Sequence, residues 1–215
     1  MNNIQKPVIH FQLWLDKRID EIKQNKIAPK LLLHSCCAPC SSYVLEYLSQ
    51  YFSITVFFYN PNIQPKQEYY KRLNEQKMFI KQFPVKYKIG LIEGLYEPEI
   101  FFQAIKGLEQ EEEGGKRCFR CYHLRLEKTA QKALELKISF FTTTLTISPH
   151  KNAQIINQIG HEIVANYSNH LEYLYSDFKK KDGFKRSIVL SNQYHLYRQN
   201  YCGCIFSKNK RITEK

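Results

Sequence analysis

Residues 30–42 read KLLLHSCCAPCSS, and the fold class follows from this stretch. Leu31, Leu32 and Leu33 run together with no polar residue between them, the pattern of a strand buried on both faces of a parallel sheet. A Cys/Pro loop follows, and Ser41 or Ser42 stands where it can cap a helix running through about Tyr51. Downstream, Ser53–Tyr59 (SITVFFY) is a β-branched and aromatic strand closed by the turn Asn60-Pro61-Asn62. Tyr69, Leu73, Ile80 and Phe83 recur at helical spacing, which predicts an amphipathic helix over 66–83. A short strand near Val85–Ile89, a helix from Pro98 to about Glu109, and a flexible loop over 111–115 come next. A long helix is expected from near Arg117 to Leu136, a buried strand over Phe140–Leu145, and a helix opened by Ser148-Pro149.

This alternation argues for an α/β fold with a Rossmann-like parallel sheet flanked by helices and a C-terminal helical segment. Residues 1–29 read as an N-terminal helical extension and residues 30–215 as a single α/β metallo-domain. In such sheets ligands sit beyond the carboxyl ends of the strands. Cys36, Cys37 and Cys40 hold that position after the first strand, and Thr146, Ser148 and His150 hold it after a later one.

Composition narrows the partners. Lys and Arg number 32 against 20 acidic residues, a formal charge of +12, which fits a polyanionic partner as well as a merely basic surface. The densest basic stretch is Lys179, Lys180, Lys181, Lys185 and Arg186, with Phe178 and Phe184 beside it; phosphate contact with base stacking is the chemistry such a stretch allows. Asp16, Lys17 and Arg18 interrupt the apolar core a signal peptide would need. No apolar run approaches the roughly 20 residues of a membrane span. A cytoplasmic protein with no membrane partner is therefore expected.

Seven cysteines in a reducing compartment point to metal or redox chemistry. Besides the first three, Cys118 and Cys121 form a C-x-x-C and Cys202 and Cys204 a C-x-C around Gly203. Cys118 and Cys121, three apart at a helix start, share a face, and the helix N-terminus favours their thiolates. Cys36 and Cys37 are adjacent, so in extended chain they point apart. A polynuclear cluster relaxes that conflict, and four thiolates (Cys36, Cys37, Cys118, Cys121) match a 4Fe–4S cube. Zinc in a Cys₄ site accepts the same ligands, and spacing alone leaves both open. Cys202 and Cys204 can cycle between dithiol and a strained disulfide, or clamp a second metal with Cys40. His34, Tyr122, His123, Thr146 and His150 lie beside the thiols as hydrogen-bond or proton donors, with His150 ranked first and His34 also a candidate.

The series LLLHSCCAPCS, RCFRCYHLRL, FTTTLTISPHKN and YCGC, running in order from about Lys30 to Phe206, resembles the QueH family of cobalamin-independent epoxyqueuosine reductases. The resemblance implies a fold related to the adenine-nucleotide hydrolases, a 4Fe–4S cofactor and an external electron donor. It also implies reduction of epoxyqueuosine to queuosine at the wobble base of tRNA. Cys36, Cys37, Cys118 and Cys121 match the cluster ligands, and Cys202 and Cys204 the C-terminal C-x-C. Cys40 falls where the family permits cysteine or aspartate, which leaves room for a second, mononuclear iron near Cys40, Cys202 and Cys204. The reading from another class is a zinc-stabilised RNA-binding protein without catalysis; it explains the charge and the C-x-x-C but not the C-x-C. A thiolase with a glycine-rich phosphate loop is disfavoured, because HSCCAPC contains no glycine.

Overall fold

The computed structural model describes residues 10–24, 27–167 and 170–213. Among these described residues, eight α-helices and five strands follow one another as α1 (Phe11–Lys23), β1 (Lys30–His34), α2 (Ala38–Leu48), β2 (Ser53–Phe58), α3 (Lys66–Gln82), β3 (Gly90–Glu93), α4 (Pro98–Ala104), α5 (Lys116–Glu135), β4 (Phe140–Thr143), α6 (Ala153–Ala165), β5 (Glu172–Tyr173), α7 (Gly183–Gln193) and α8 (Ile205–Thr213). The sheet order is β3-β2-β1-β4-β5, and every neighbouring pair is parallel. After β3 the chain crosses back to lay β4 beside β1. The strand order therefore reverses between β1 and β4, the switch point at which such sheets bind ligands.

Leu31, Leu32 and Leu33 have no solvent exposure, and each contributes about 1.5–3 kcal/mol by leaving water. Alternation sends Leu31 and Leu33 with Ile54 and Val56 to one face, where α2 and α3 pack. Leu32 goes to the other with Phe141 and the inner side of α5 and α6. Helix α1 shares the first core: Leu15, Ile19 and Ile22 are buried in the same cluster as Leu31 and Leu33. Arg18 forks onto Glu172 at 2.7 and 2.8 Å, which ties this helix to β5. The part of the expected N-terminal helix before residue 10 lies outside the described residues.

Local physics moved several boundaries. Helix α2 starts at Ala38 with Cys37 at its N-cap and Pro39 in its first turn. Proline presets that turn, so Ser41 and Ser42 sit inside the helix instead of capping it. Their hydroxyls donate back to the carbonyls of Ala38 and Pro39 at 3.1 and 2.9 Å. The third strand lies at Gly90–Glu93, not Val85–Ile89, because Thr55 pairs with Gly90. Helix α4 stops at Ala104, just before Gly107 takes a positive φ of 80°. Strand β4 ends at Thr143, whose Oγ1 accepts from Leu145 N at 3.1 Å and turns the chain into a 3₁₀ segment, Thr144–Ile147. No helix begins at Ser148-Pro149. Asn152 caps α6 instead, accepting from Gln154 N at 2.8 Å and Ile155 N at 3.3 Å. No helix among the described residues is long and apolar enough to cross a membrane.

Asp16 gathers the helix α1 contacts. It accepts from Tyr47 at 2.7 Å and from Gln12 at 3.1 Å, and pairs with Lys181 at 2.6 Å. Burial opposes its charge, but the hydrogen bonds from Lys181, Tyr47 and Gln12 outweigh that and hold its carboxyl below the ordinary 3.8. A depressed folded-state pKa stabilises the protein above the unfolded value and stops doing so as pH falls through the folded one. Asp16→Asn is therefore expected to cost about 1 kcal/mol at neutral pH. Urea melts of the two proteins should converge as the pH drops below the ordinary carboxylate range; a gap that persists there would contradict the account.

Candidate metal centre

The chain leaves β1 through His34 and Ser35 and turns sharply into α2. Ser35 is tied down by its N–H to Phe57 O at 3.0 Å, its hydroxyl to Gln76 Oε1 at 2.7 Å, and Asn60 Nδ2 to its carbonyl at 2.9 Å. Cys37 is fully extended at the N-cap, and Cys40 follows one turn later on the same face. The turn resolves the conflict between adjacent thiols: Cys36 and Cys37 Sγ lie 3.8 Å apart. With Cys40, their three sulfurs fall within 4.8 Å of one another. Among the described residues this is the one group of three or more metal-capable side chains that converges so closely.

Electrostatics inside the trio is shared. Hydrogen bonds from Cys37 and Cys40 hold the Cys36 thiol well below its ordinary value. The same bonds, seen from Cys40, push that thiol up. Burial pushes Cys37 up to about 12. One thiolate supported by two thiol donors is what these neighbours favour, and a soft cation can replace the two protons. Thr144 Oγ1 at 3.6 Å from Cys36 Sγ and Gln199 Nε2 at 2.8 Å from Cys37 Sγ complete the polar surround. The donor set therefore fits zinc or iron.

The other four thiols form a second neighbourhood. Cys118 and Cys121 occupy the first turns of α5, where Gly114 N donates to Cys118 Sγ at 3.2 Å. Cys121 packs with Cys204, Phe101 and Ile105 in one small apolar cluster. Cys118 and Cys121 both feel the charges of Cys202 and Cys204. Burial raises Cys118 and Cys204 and pushes Cys121 up to about 12, so desolvation outweighs the help expected from the helix terminus. All seven cysteines are free thiols, and Cys202 and Cys204 are not bonded to each other.

The C-x-C loop is held by a residue that spacing gave no reason to choose. Arg72 of α3 is entirely buried. It donates to Cys202 O at 3.1 Å and Tyr201 O at 3.4 Å, and to Glu68 at 2.7 Å. Gly203 has φ 135°, and its carbonyl accepts from Gln64 N at 2.8 Å. A Cβ there would stand 2.9 Å from Ile63 and 3.3 Å from Arg72, so the close backbone approach requires glycine.

A cavity of about 520 Å³ joins the two neighbourhoods; Cys36, Cys40, Cys202, Arg125, His150 and Lys151 are on its wall. This is the switch-point cleft. A profile of the family described as Epoxyqueuosine reductase QueH matches residues 31–210, and that span contains every one of these groups. The chain belongs to the QueH family. It is 43% identical over 209 residues to the Epoxyqueuosine reductase QueH of Streptococcus pyogenes serotype M1, covering 96% of this chain and 80% of that one. The namesake from Staphylococcus epidermidis is 45% identical over 94% of this chain and 86% of its own. That from Thermotoga maritima is 36% identical over 84% and 91% respectively. Family membership places the chain among the oxidoreductases.

The QueH motifs sort differently once placed in space. The expected ligand set of Cys36, Cys37, Cys118 and Cys121 takes two thiols from each neighbourhood. His150 is exposed on the cavity wall. His34 is not on that wall: it is fully buried, with Nδ1 2.8 Å from Thr143 Oγ1 and Nε2 3.1 Å from Tyr59 O. Burial and the nearby Arg125 lower its pKa to about 3, and its ring links β1 to β4. Thr146 bonds Ser176 at 2.9 Å, His123 faces solvent, and Tyr122 packs in the core.

The basic stretch is largely paired off. Lys179 meets Asp177, Lys181 meets Asp16, Lys185 meets Asp182 and Arg186 meets Glu46, all within 2.9 Å. Phe178 is core; only Phe184 reaches the cavity. Arg125, four residues after Cys121 and so on the same helical face, was findable from spacing; Arg72 and Gln199 were not.

Arg72→Lys keeps the charge but loses the planar fork. Losing the hydrogen bonds to the loop carbonyls costs about 1–3 kcal/mol locally, so Cys202 should alkylate roughly tenfold faster or more after metal is chelated away. An unchanged alkylation rate in mass spectrometry would show that Arg72 does not hold the loop.

Proposed function

We propose that this chain reduces epoxyqueuosine to queuosine at the wobble position of tRNA, the last step of queuosine biosynthesis, in the cytoplasm. The observation that carries the reading is the convergence of three thiols at the switch point, on a cavity that also receives Cys202 of the second thiol group. Cys36, Cys37, Cys118 and Cys121 are the ligands for a 4Fe–4S cluster. When bound, such a cluster supplies electrons one at a time at low potential. The alternative use of Cys202 and Cys204 is to clamp a second, mononuclear iron together with Cys40.

The chain's own groups account for the rest. Removing the epoxide oxygen consumes two electrons and two protons and releases water. The Cys202/Cys204 dithiol holds that equivalent: closing to a disulfide gives up two electrons and two protons, and an external donor restores it. The strain of a ring closed across one residue keeps this disulfide easy to reduce. His150, exposed on the cavity wall, passes protons to the departing oxygen in this reading. A cavity of about 520 Å³ takes a single extruded base, the mode in which single-stranded loops are read. Phe184 gives that base an aromatic face, with the Arg198 guanidinium 5.8 Å from the ring centroid. The net charge of +12 favours the polyanion.

The test is anaerobic purification, metal and sulfide analysis, and nucleoside mass spectrometry of epoxyqueuosine-bearing tRNA incubated with dithionite. About four irons with matching sulfide per chain, a visible absorption that bleaches on reduction, and queuosine in the product are expected. Stoichiometric zinc without sulfide and without turnover would instead support a zinc-stabilised RNA-binding protein. Cys118→Ser and Cys121→Ser should each lose the cluster and the activity together; full turnover by either would sink the ligand assignment.

A further inference from the structure

Two cations on the cavity wall, Arg125 and Lys151, make no ion pair with a carboxylate among the described residues. Arg125 is 1% exposed. Its Nε donates to Cys121 O and its Nη1 to Asn60 Oδ1, both at 3.3 Å, while Nη2 has no hydrogen-bond partner. A buried guanidinium with an open donor carries an uncompensated desolvation cost. Lys151 lies on the same wall, half-buried, with its backbone pinned by Ser148 O at 3.2 Å. Burial opposes its charge, but Cys202, Cys36, Tyr122 and Cys40 more than offset that and raise its pKa. For Arg125 the corresponding neighbours are Cys121, Cys202, Cys36 and Tyr122. None of those neighbours is a carboxylate. Arg72, by contrast, has Glu68, and four of the five cations of the basic stretch have acidic partners.

We propose that Arg125 and Lys151 form a pocket that receives the epoxide oxygen of the substrate and takes up the negative charge it gains as its C–O bonds break. The inference rests on the proposed function above. Both C–O bonds cleave, a carbon–carbon double bond forms between the two ring carbons, and two electrons arrive from the Cys202/Cys204 dithiol, which the external donor restores. The oxygen takes two protons, passed on by His150, and leaves as water. Arg125 stays charged throughout, because its guanidinium does not deprotonate in proteins. Donors already in place when charge develops need no reorganisation at that moment, which is where electrostatic stabilisation is largest. The open Nη2 of Arg125 is the donor without a present task.

The experiment uses the holoenzyme of Lys151→Met, Arg125→Met and Arg125→Lys. It measures single-turnover reduction of epoxyqueuosine tRNA, binding of queuosine tRNA, which lacks the epoxide oxygen, and metal content with its visible spectrum. Lys151→Met should lose about 100- to 1000-fold in the single-turnover rate. Its affinity for queuosine tRNA should stay within about threefold, and its metal content and spectrum should not change. Arg125→Lys should recover part of the rate lost in Arg125→Met; if the latter fails to fold by circular dichroism, the Lys151 result still decides. Equal weakening of both tRNAs with the single-turnover rate intact would overturn the proposal in favour of a phosphate contact. Metal loss in step with the rate would overturn it in favour of a counter-ion to the thiolates. A wild-type enzyme that makes no queuosine would fail the underlying function, and that outcome is visible before any variant is made.

Discussion

Three sulfurs within 4.8 Å at the end of a fully buried strand impose a constraint that the surrounding elements answer one by one. Thiolates so close cannot all ionise unaided; charge on one raises its neighbours, as the opposite shifts of Cys36 and Cys40 record. Three of the segments around the switch point bring a cation. Arg72 on α3 acts on Cys37, Arg125 on α5 acts on Cys36 and Cys121, and Lys151 in the loop after β4 acts on Cys36. The positive charge within the fold is thus drawn to sulfur, and the sheet topology is what allows three separate segments to deliver it to one place.

The same distribution changes what the net charge of +12 means. Sequence clustering draws attention to residues 179–186, yet most of those charges already face carboxylates on α1, α2 and their own loop. Exposed pairs of this kind contribute little stability and exchange partners readily, so they do not exclude a phosphate. They do mute the local field. The cavity wall, where Lys151 and Arg125 line the same space as Cys36, Cys40 and Cys202, draws its cations from separate segments of the sequence.

Much of this was legible before any coordinates. The LLLH run gives β1 its place at the centre of the sheet because a wholly apolar strand has nowhere else to go, and the Cys/Pro loop after it falls at the ligand edge. Helix α5 was readable from its periodicity, and Cys118 with Cys121 on one face came with it. The failures share a cause. Strand β3 is half-buried at an edge and β5 has two residues, so neither carries a pattern strong enough to read. Ser148-Pro149 imitates a helix start, but Asn152 makes the cap, and only the turn geometry decides between them. His34 offers the functional group of a proton donor, and the sequence carries no sign that its ring is buried between β1 and β4 and off the cavity wall. Arg72 sits in mid-helix with no motif around it, and its importance exists only through a loop 130 residues away in sequence.

Arg72 and Arg125 show how alike residues diverge once their partners are counted. Both guanidiniums are buried, and a buried charge costs several kcal/mol unless it is paired and hydrogen-bonded. Arg72 meets that requirement at each of its nitrogens: a carboxylate from Glu68 and two loop carbonyls accept from its fork, and the backbone of Tyr201 and Cys202 is held in return. Its work is finished when the protein has folded. Arg125 meets the requirement only in part. Two of its nitrogens donate, the third, Nη2, has no hydrogen-bond partner, and no carboxylate is among the neighbours that stabilise it. A fold that saturates one arginine so thoroughly has the means to saturate the other, so the open donor is best understood as a binding group whose acceptor arrives with the substrate.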